Sequence, residues 1–157
     1  MPTLTVPERP RTKRKQSYEE YLALPDDGRI VEWADGEIIN HMPATPLHQN
    51  VVIFLIKLLS GYIDRLNLGH LLAAPVEVKL WSGGPSREQD VLFIGRERLT
   101  QLTERRFEGG HDLVVEVVSP GSVTIDRVDK FLEYEQAGVG EYWIIDPRPH
   151  QQQADFY

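Results

Sequence analysis

The sequence contains no cysteine among its 157 residues. This absence excludes thiol catalysis, cysteine-ligated zinc and disulfide scaffolds, and it fits a reducing cytoplasm best. The first residues are polar and include prolines, and no apolar segment of signal-peptide or membrane-spanning length lies near them. We therefore expect a soluble, cytoplasmic protein with no membrane partner.

Positive charge is scarce outside the N-terminus. The net charge is −7, yet the first 16 residues hold five basic side chains and one acidic side chain. We expect residues 1–16 to form a flexible basic arm that either stays disordered or touches phosphates. The length suits one domain, which we place at residues 17–157. Its acidic composition argues against non-specific coating of DNA but suits a nuclease that binds a metal ion first.

Local patterns predict alternating helices and strands. Ser17 and Glu20 form a capping-box pattern, Asp35-Gly36 is a strong hairpin turn, and Thr45-Pro46 can start the longest helix. We predict helices at 18–24, 46–66, 97–102 and 124–136, and strands at 29–33, 37–41, 71–81, 90–94, 113–118 and 141–145. This order indicates an α/β or α+β fold with an N-terminal helix and β-hairpin. Residues 151–157 could begin another strand, so the domain could end short of its final strands.

Apolar residues at helical spacing indicate which helix faces pack inward. In the helix at 46–66, the inward stripe comprises Val51, Val52, Phe54, Leu55, Leu58, Leu59 and Tyr62. His48 lies on the same stripe, four residues before Val52. In the helix at 124–136, we expect the inward face to carry Val128, Phe131 and Leu132.

Glu116 is the sharpest functional signal in the sequence. It interrupts residues 113–118, which are otherwise apolar on both alternating faces and therefore predict a central strand covered on both sides. A carboxylate in such a strand is expensive to bury. A cation or a chemical task is the natural explanation.

Asp90 and Lys130 could share a site with Glu116. If Asp90 opens a neighbouring strand, the two carboxylates can hold one Mg²⁺ together with waters and phosphate oxygens. Without a metal they should repel, and one of them should titrate higher than a free carboxylate. Lys130 could orient the attacking water or offset charge on the phosphate. Simpler explanations stay open: Asp90 as a turn residue, and Lys130 in a surface ion pair with Asp126.

Several stretches, taken in order, resemble one family. They are Asp35-Gly36-Glu37-Ile38-Ile39, Gln89-Asp90-Val91 and residues 112–120, 126–130 and 137–147. From about Tyr18 to Pro147 the sequence resembles the Uma family of bacterial restriction endonucleases, which is placed in the PD-(D/E)XK nuclease superfamily. The ordered series of motifs is much more specific than any one of them.

The resemblance implies a restriction-endonuclease-like mixed β-sheet core flanked by helices, and a metal-dependent phosphodiesterase that cuts DNA to leave 5′-phosphates. It assigns catalysis to Asp90, Glu116 and Lys130, with Asp90 and Glu116 as ligands of Mg²⁺ or Mn²⁺. Two positions depart from the pattern. Gln89 replaces the usual proline before the aspartate, and Val118 occupies the place of the superfamily lysine. Activity therefore depends on Lys130 reaching the site from the following helix.

Glu37 and His48 are secondary candidates. Helices ahead of the core sheet often present an acidic residue to the metal in this superfamily, and His48 lies on that helix, near an N-terminus that would favour the neutral imidazole. Either residue could instead be structural, His48 in the core and Glu37 in the hairpin. The same fold could also serve as a non-catalytic nucleic-acid or protein-binding module, or hydrolyse another phosphoester. A homodimer is plausible because cutting both strands usually takes two sites.

Overall fold

The computed structural model describes residues 14–157, so most of the predicted basic arm lies outside the described residues. The helices are α1 (Tyr18–Leu22), α2 (Pro46–Leu66), a 3₁₀-helix (Arg96–Gln101), a π-helix (Ile125–Asp129) and α3 (Lys130–Ala137). The strands are β1 (Val31–Ala34), β2 (Glu37–Asn40), β3 (Gly69–Ala73), β4 (Glu77–Lys79), β5 (Ser86–Arg87), β6 (Val91–Gly95), β7 (Arg106–Glu108), β8 (Leu113–Val117), β9 (Glu141–Asp146) and β10 (Gln153–Phe156).

These strands form two five-stranded sheets. The first sheet has the order β2-β1-β5-β4-β7, and the second has the order β10-β9-β8-β6-β3. Each sheet contains one parallel pair, β4 with β7 and β8 with β9, while the other neighbours are antiparallel. Both sheets are therefore mixed. The predicted α+β class, with a mixed-sheet core flanked by helices, is confirmed, although the core is divided between two sheets.

The second sheet is covered on both faces. On one face, Val52 and Leu55 of α2 pack with Val91, Val115 and Val117. The opposite face packs against α3 and the first sheet, in a cluster that includes Val78, Leu80, Phe107, Leu92, Val114 and Tyr134. β8 lies in the middle, and all five of its residues are buried. The predicted central strand is confirmed, and its alternation directs Glu116 to the α3 face.

α2 begins and ends where its sequence predicts. The Thr45 side chain accepts a hydrogen bond from the His48 backbone N–H, Pro46 occupies the first turn, and Asn67 closes the helix in the left-handed conformation. Its length and apolar content alone would suffice to span a membrane. Because its buried residues pack on the second sheet, α2 is a covering helix of this domain and not a convincing membrane span.

The prediction of the inward stripe of α2 was wrong for three residues. Phe54, Leu58 and Tyr62 are 63%, 59% and 62% exposed, whereas Val52, Leu55 and Ile63 are buried. The apolar arc of the helix is wider than the part that the sheet covers. Hydrophobic spacing identifies the arc, but only the position of the sheet selects the buried half.

Residues 71–81 do not form the single strand that we predicted. They divide into β3 in the second sheet and β4 in the first sheet, with Pro75 between them. Proline has no backbone N–H and cannot donate to a continuing ladder. The segment that looked like one strand therefore links the two sheets.

The predicted helix at 124–136 consists of the π-helix followed by α3. Its inward face carries Asp126, Lys130 and Tyr134, which are at most 2% exposed. The prediction that Val128 and Leu132 pack inward was wrong, since they are 50% and 59% exposed. The buried stripe of this helix is largely polar, and of the three residues predicted to face inward only Phe131 packs, partly buried, against the core.

The hairpin and the C-terminal segment follow their predictions. β1 and β2 pair through Asp35-Gly36, both of which have positive φ. β10 pairs antiparallel with β9 and lies at one edge of the second sheet. Gln16, the last residue of the predicted arm, donates its backbone N–H to the Gly36 carbonyl. The short predicted helix at 97–102 is the 3₁₀-helix.

Candidate active site

Glu116 is held by two donors from α3. Its carboxylate is 3% exposed, and its Oε1 accepts hydrogen bonds from Lys130 Nζ and from the Tyr134 hydroxyl, both at 2.8 Å. Lys130 and Tyr134 lie four residues apart, which places them on one face of the helix. Lys130 therefore reaches Glu116 from the following helix, as the resemblance required.

Lys130 is buried among three carboxylates. Its Nζ lies 2.8 Å from Glu116 Oε1, 3.3 Å from Glu32 Oε1 and 3.5 Å from Asp126 Oδ1. Burial alone would lower the pKa of Lys130, but these carboxylates outweigh it and raise the pKa. The alternative that Lys130 forms only a surface pair with Asp126 is wrong, because both side chains are buried.

Asp90 lies directly before β6, at the edge of the same group. Its Oδ2 accepts a hydrogen bond from the Val117 backbone N–H at 2.8 Å, and its side chain is 14% exposed. The register pairs Val91 with Val115. Asp90 therefore precedes the strand that pairs with β8, and its charge adds to the rise in the pKa of Glu116.

His48 contacts Asp90 from the first turn of α2. Its Nε2 lies 3.1 Å from Asp90 Oδ2, and its buried Nδ1 has no hydrogen-bond partner within residues 14–157. The hydrogen bond to Asp90 raises the pKa of His48 and outweighs burial. We expected the helix N-terminus to favour the neutral imidazole, whereas the contact with Asp90 favours the charged form.

Glu32 belongs to this group and was missed by the sequence reasoning. It is fully buried in β1. Its Oε1 accepts from the Glu88 backbone N–H at 3.0 Å and lies near Lys130, while its Oε2 contacts Arg87 Nη1 at 3.1 Å and His41 Nε2 at 2.9 Å. Burial alone would raise the pKa of Glu32, but Lys130, His41 and Arg87 hold it below its usual range.

No local pattern distinguished Glu32. In β1, the apolar Val31 and Trp33 are half-buried, whereas Glu32 and Ala34 face inward. Alternation therefore indicated the opposite face. Glu37, the acidic residue that the motif singled out instead, is exposed at the start of β2. Within the described residues it forms no hydrogen bond or ion pair with the other candidates.

The carboxylates repel one another as expected. Burial raises the pKa of Glu116 to about 8; Lys130 opposes this shift, while Asp90, Asp126 and Glu32 add to it. The pKa of Asp126 is also raised, mainly by burial. The predicted carboxylate with an elevated pKa is therefore Glu116.

A sequence model of the Uma2 family, described as "Putative restriction endonuclease", matches residues 18–155. The chain belongs to this family. Its fold is also similar to the crystal structure of a putative nuclease belonging to DUF820 from Anabaena variabilis ATCC 29413, with a TM-score of 0.70 and 18% identity over 88% of this chain and 82% of that chain. At this identity, the likeness concerns the fold alone. No curated protein matches the sequence.

The Uma2 residues Asp90 and Glu116 retain oxygens that could bind a metal. Within residues 14–157, the hydrogen bonds of Asp90 go to Oδ2 and those of Glu116 go to Oε1. Oδ1 of Asp90 and Oε2 of Glu116 thus have no protein donor in that range. No group of three or more His, Asp or Glu side chains there could hold a metal alone. This donor set fits Mg²⁺, which uses one or two carboxylates with waters and substrate phosphates.

Proposed function

We propose that this protein is a metal-dependent phosphodiesterase that hydrolyses DNA, with Asp90 and Glu116 as ligands of Mg²⁺ or Mn²⁺. The observation that carries the proposal is the buried Lys130 ammonium, whose Nζ lies 2.8 Å from Oε1 of Glu116. The family's description as restriction endonucleases supports DNA as the substrate. A second subunit would supply the site for the other strand.

The surrounding residues have distinct tasks in this proposal. Tyr134 and Lys130 orient Glu116 through Oε1, which would leave Oε2 to bind the metal. His48 and the Val117 N–H orient Asp90 through Oδ2. Lys130 orients the attacking water or offsets charge on the phosphate. A bound Mg²⁺ or Mn²⁺ would polarise the scissile phosphate and lower the pKa of a coordinated water.

A non-catalytic nucleic-acid or protein-binding module is the second candidate. It is favoured by the ion pairs of Lys130 with three carboxylates, because these already satisfy the ammonium without any ligand. Metal affinity separates the two candidates. A binding module has no use for the free oxygens of Asp90 and Glu116.

Thermal unfolding with and without Mn²⁺ tests the metal site. We expect millimolar Mn²⁺ to raise the unfolding midpoint of the wild type, because a ligand that binds only the folded state stabilises it. Glu116→Ala should lose this increase. Glu37→Ala is the matched control, since it removes an exposed glutamate from the same domain and should keep the increase.

Cleavage of linear and supercoiled DNA then tests the activity. We expect Mn²⁺-dependent products with 5′-phosphates from the wild type and from Glu37→Ala, and none from Glu116→Ala. Retained cleavage by Glu116→Ala would refute the site assignment. A midpoint that does not respond to Mn²⁺, together with DNA that stays intact, would favour the binding module.

A further inference from the structure

We propose that Glu32 is a positioning residue that holds the Lys130 ammonium in place when Glu116 binds the metal. The inference rests on the proposed function, because it concerns the same site. Glu32 comes from β1 in the first sheet, whereas Glu116 lies in the second sheet. Lys130 Nζ stands between them, 3.3 Å from Glu32 and 2.8 Å from Glu116.

Glu32 and Glu116 differ in the number of carboxylate oxygens that remain free to bind a metal. Within the described residues, Glu116 keeps one oxygen without a protein donor, whereas both oxygens of Glu32 are engaged by protein groups. Glu32 is thus bound to the protein on all sides and has no oxygen left for a metal.

The need for a second anchor follows from the charge on Glu116. A divalent cation on Glu116 would attract electron density from its carboxylate and repel the neighbouring ammonium. The contact between Lys130 and Glu116 would then weaken at the stage when Lys130 must stay in position. Glu32 is ionised and its attraction for Lys130 remains, because its own charge is not shared with the metal.

Glu32 is itself held rigidly. Arg87 donates Nη1 to Glu32 Oε2, and its Nε and Nη2 form a two-point contact with Glu133 of α3 at 2.8 and 2.7 Å. Arg87 is 2% exposed. This chain of contacts connects β1, β5 and α3, so Lys130 is anchored through the helix that carries it and through the opposite sheet.

Glu32→Gln and Glu133→Gln form a matched pair of variants. Both remove a carboxylate partner of Arg87, but only Glu32→Gln removes a partner of Lys130. The readouts are the single-turnover cleavage rate at saturating Mn²⁺ and the Mn²⁺ affinity from the unfolding midpoint. We expect Glu32→Gln to lose rate by about 10- to 100-fold, as for other residues that orient a reacting group, with nearly unchanged Mn²⁺ affinity. Glu133→Gln should keep most of its rate.

A second variant guards against misfolding of Glu32→Gln. Glu32→Asp keeps the charge but shortens the side chain by one methylene, which withdraws it from Lys130. We expect it to fold and to lose rate in the same manner. Equal losses in Glu32→Gln and Glu133→Gln would overturn the proposal, since the shared Arg87 network would explain both. Full rate in Glu32→Asp and Glu32→Gln would overturn it too.

A crystal structure of Glu32→Asp with Mn²⁺ separates this proposal from the proposed function. Displacement of Lys130 Nζ relative to the wild-type complex would support positioning by Glu32 even if neither protein cut DNA. An unmoved Nζ would refute positioning even if both cut DNA. Absence of cleavage by the wild type would count against the phosphodiesterase alone.

Discussion

The two helices on opposite faces of the second sheet pack by opposite chemistry. α2 buries Val52, Leu55 and Ile63. The π-helix and α3 bury Asp126, Lys130 and Tyr134 and expose Val128 and Leu132. Both helices cover the same sheet, yet one presents an apolar face and the other presents a charged face.

The difference separates residues that stabilise the fold from residues for which we propose a chemical role. Burying apolar surface stabilises a protein by about 25 cal/mol per Å². Burying ions has a desolvation penalty that their attraction often only offsets, and apolar replacements of similar volume are frequently as stable or more stable. Stability alone therefore gives no reason for the charged face of α3. A catalytic or binding task does.

The largest effect should come from the charged side. We expect Glu116→Ala to reduce DNA cleavage below detection, because it removes the proposed metal ligand together with the acceptor of Lys130 and Tyr134. Cleavage should be measured at saturating Mn²⁺ on protein whose folding is verified by circular dichroism. Activity above background in a folded Glu116→Ala protein would show that the charged face, which α3 covers, is not needed for cleavage.

Lys130→Met should abolish turnover and also lower the unfolding free energy by about 3–5 kcal/mol, since it leaves buried carboxylates without their cation. Mn²⁺ should recover part of this loss by supplying positive charge. Urea unfolding with and without Mn²⁺ measures both effects. Lys57→Met on the exposed face of α2 is the control and should stay within about 0.5 kcal/mol of the wild type. Similar losses in both variants would contradict the buried role of Lys130.

On the apolar side, Leu55→Ala should lower the unfolding free energy by about 2–5 kcal/mol through lost burial and a residual cavity. Its Mn²⁺ affinity and the activity of its folded fraction should not change. Leu58→Ala is the matched control, because Leu58 is 59% exposed on the same helix, whereas Leu55 is 7% exposed. If a folded Leu55→Ala protein binds Mn²⁺ more weakly, the separation between an apolar face for stability and a charged face for metal binding is contradicted.

The smallest expected effect, counted per pH unit, is a pH dependence of stability that belongs to the charged side. Glu116 has a pKa of about 8 when folded, above the ordinary value of 4.5, so the folded state binds its proton more tightly. The stability from this group is complete below about pH 4.5 and is lost as pH rises toward 8. Without metal, the unfolding free energy should fall over this range by at most about 1.4 kcal/mol per pH unit. In Glu116→Gln, the unfolding free energy should change less with pH. Urea unfolding at several pH values measures this, and the same pH dependence in wild type and variant would refute the prediction.

Much of the secondary structure could be predicted from neighbouring residues. Ser17 and Glu20 form the capping box of α1, and Thr45 caps α2. β8 is a buried strand whose only charged residue is Glu116. These features depend on contacts within a few residues, which is the range over which sequence patterns act.

The division of residues 71–81 and the full composition of the site could not be predicted without the tertiary structure. The division of residues 71–81 between two sheets depends on which strands pair with each half, and spacing within the segment carries no record of those partners. The inward face of α3 was misassigned because its buried residues are polar, and polarity normally indicates solvent. Glu32 was missed for the same reason.

The sequence by itself determined the family, the α+β class, the bounds of α2 and the selection of Asp90, Glu116 and Lys130 as candidates. Only the tertiary structure decided that Lys130 is buried against Glu116, that Glu32 joins them and that Glu37 does not. Residues 32, 116 and 130 are far apart along the chain and lie on different sheets and a helix. Their contacts arise from packing of those elements, because a local pattern carries no information about a neighbour that only folding brings near.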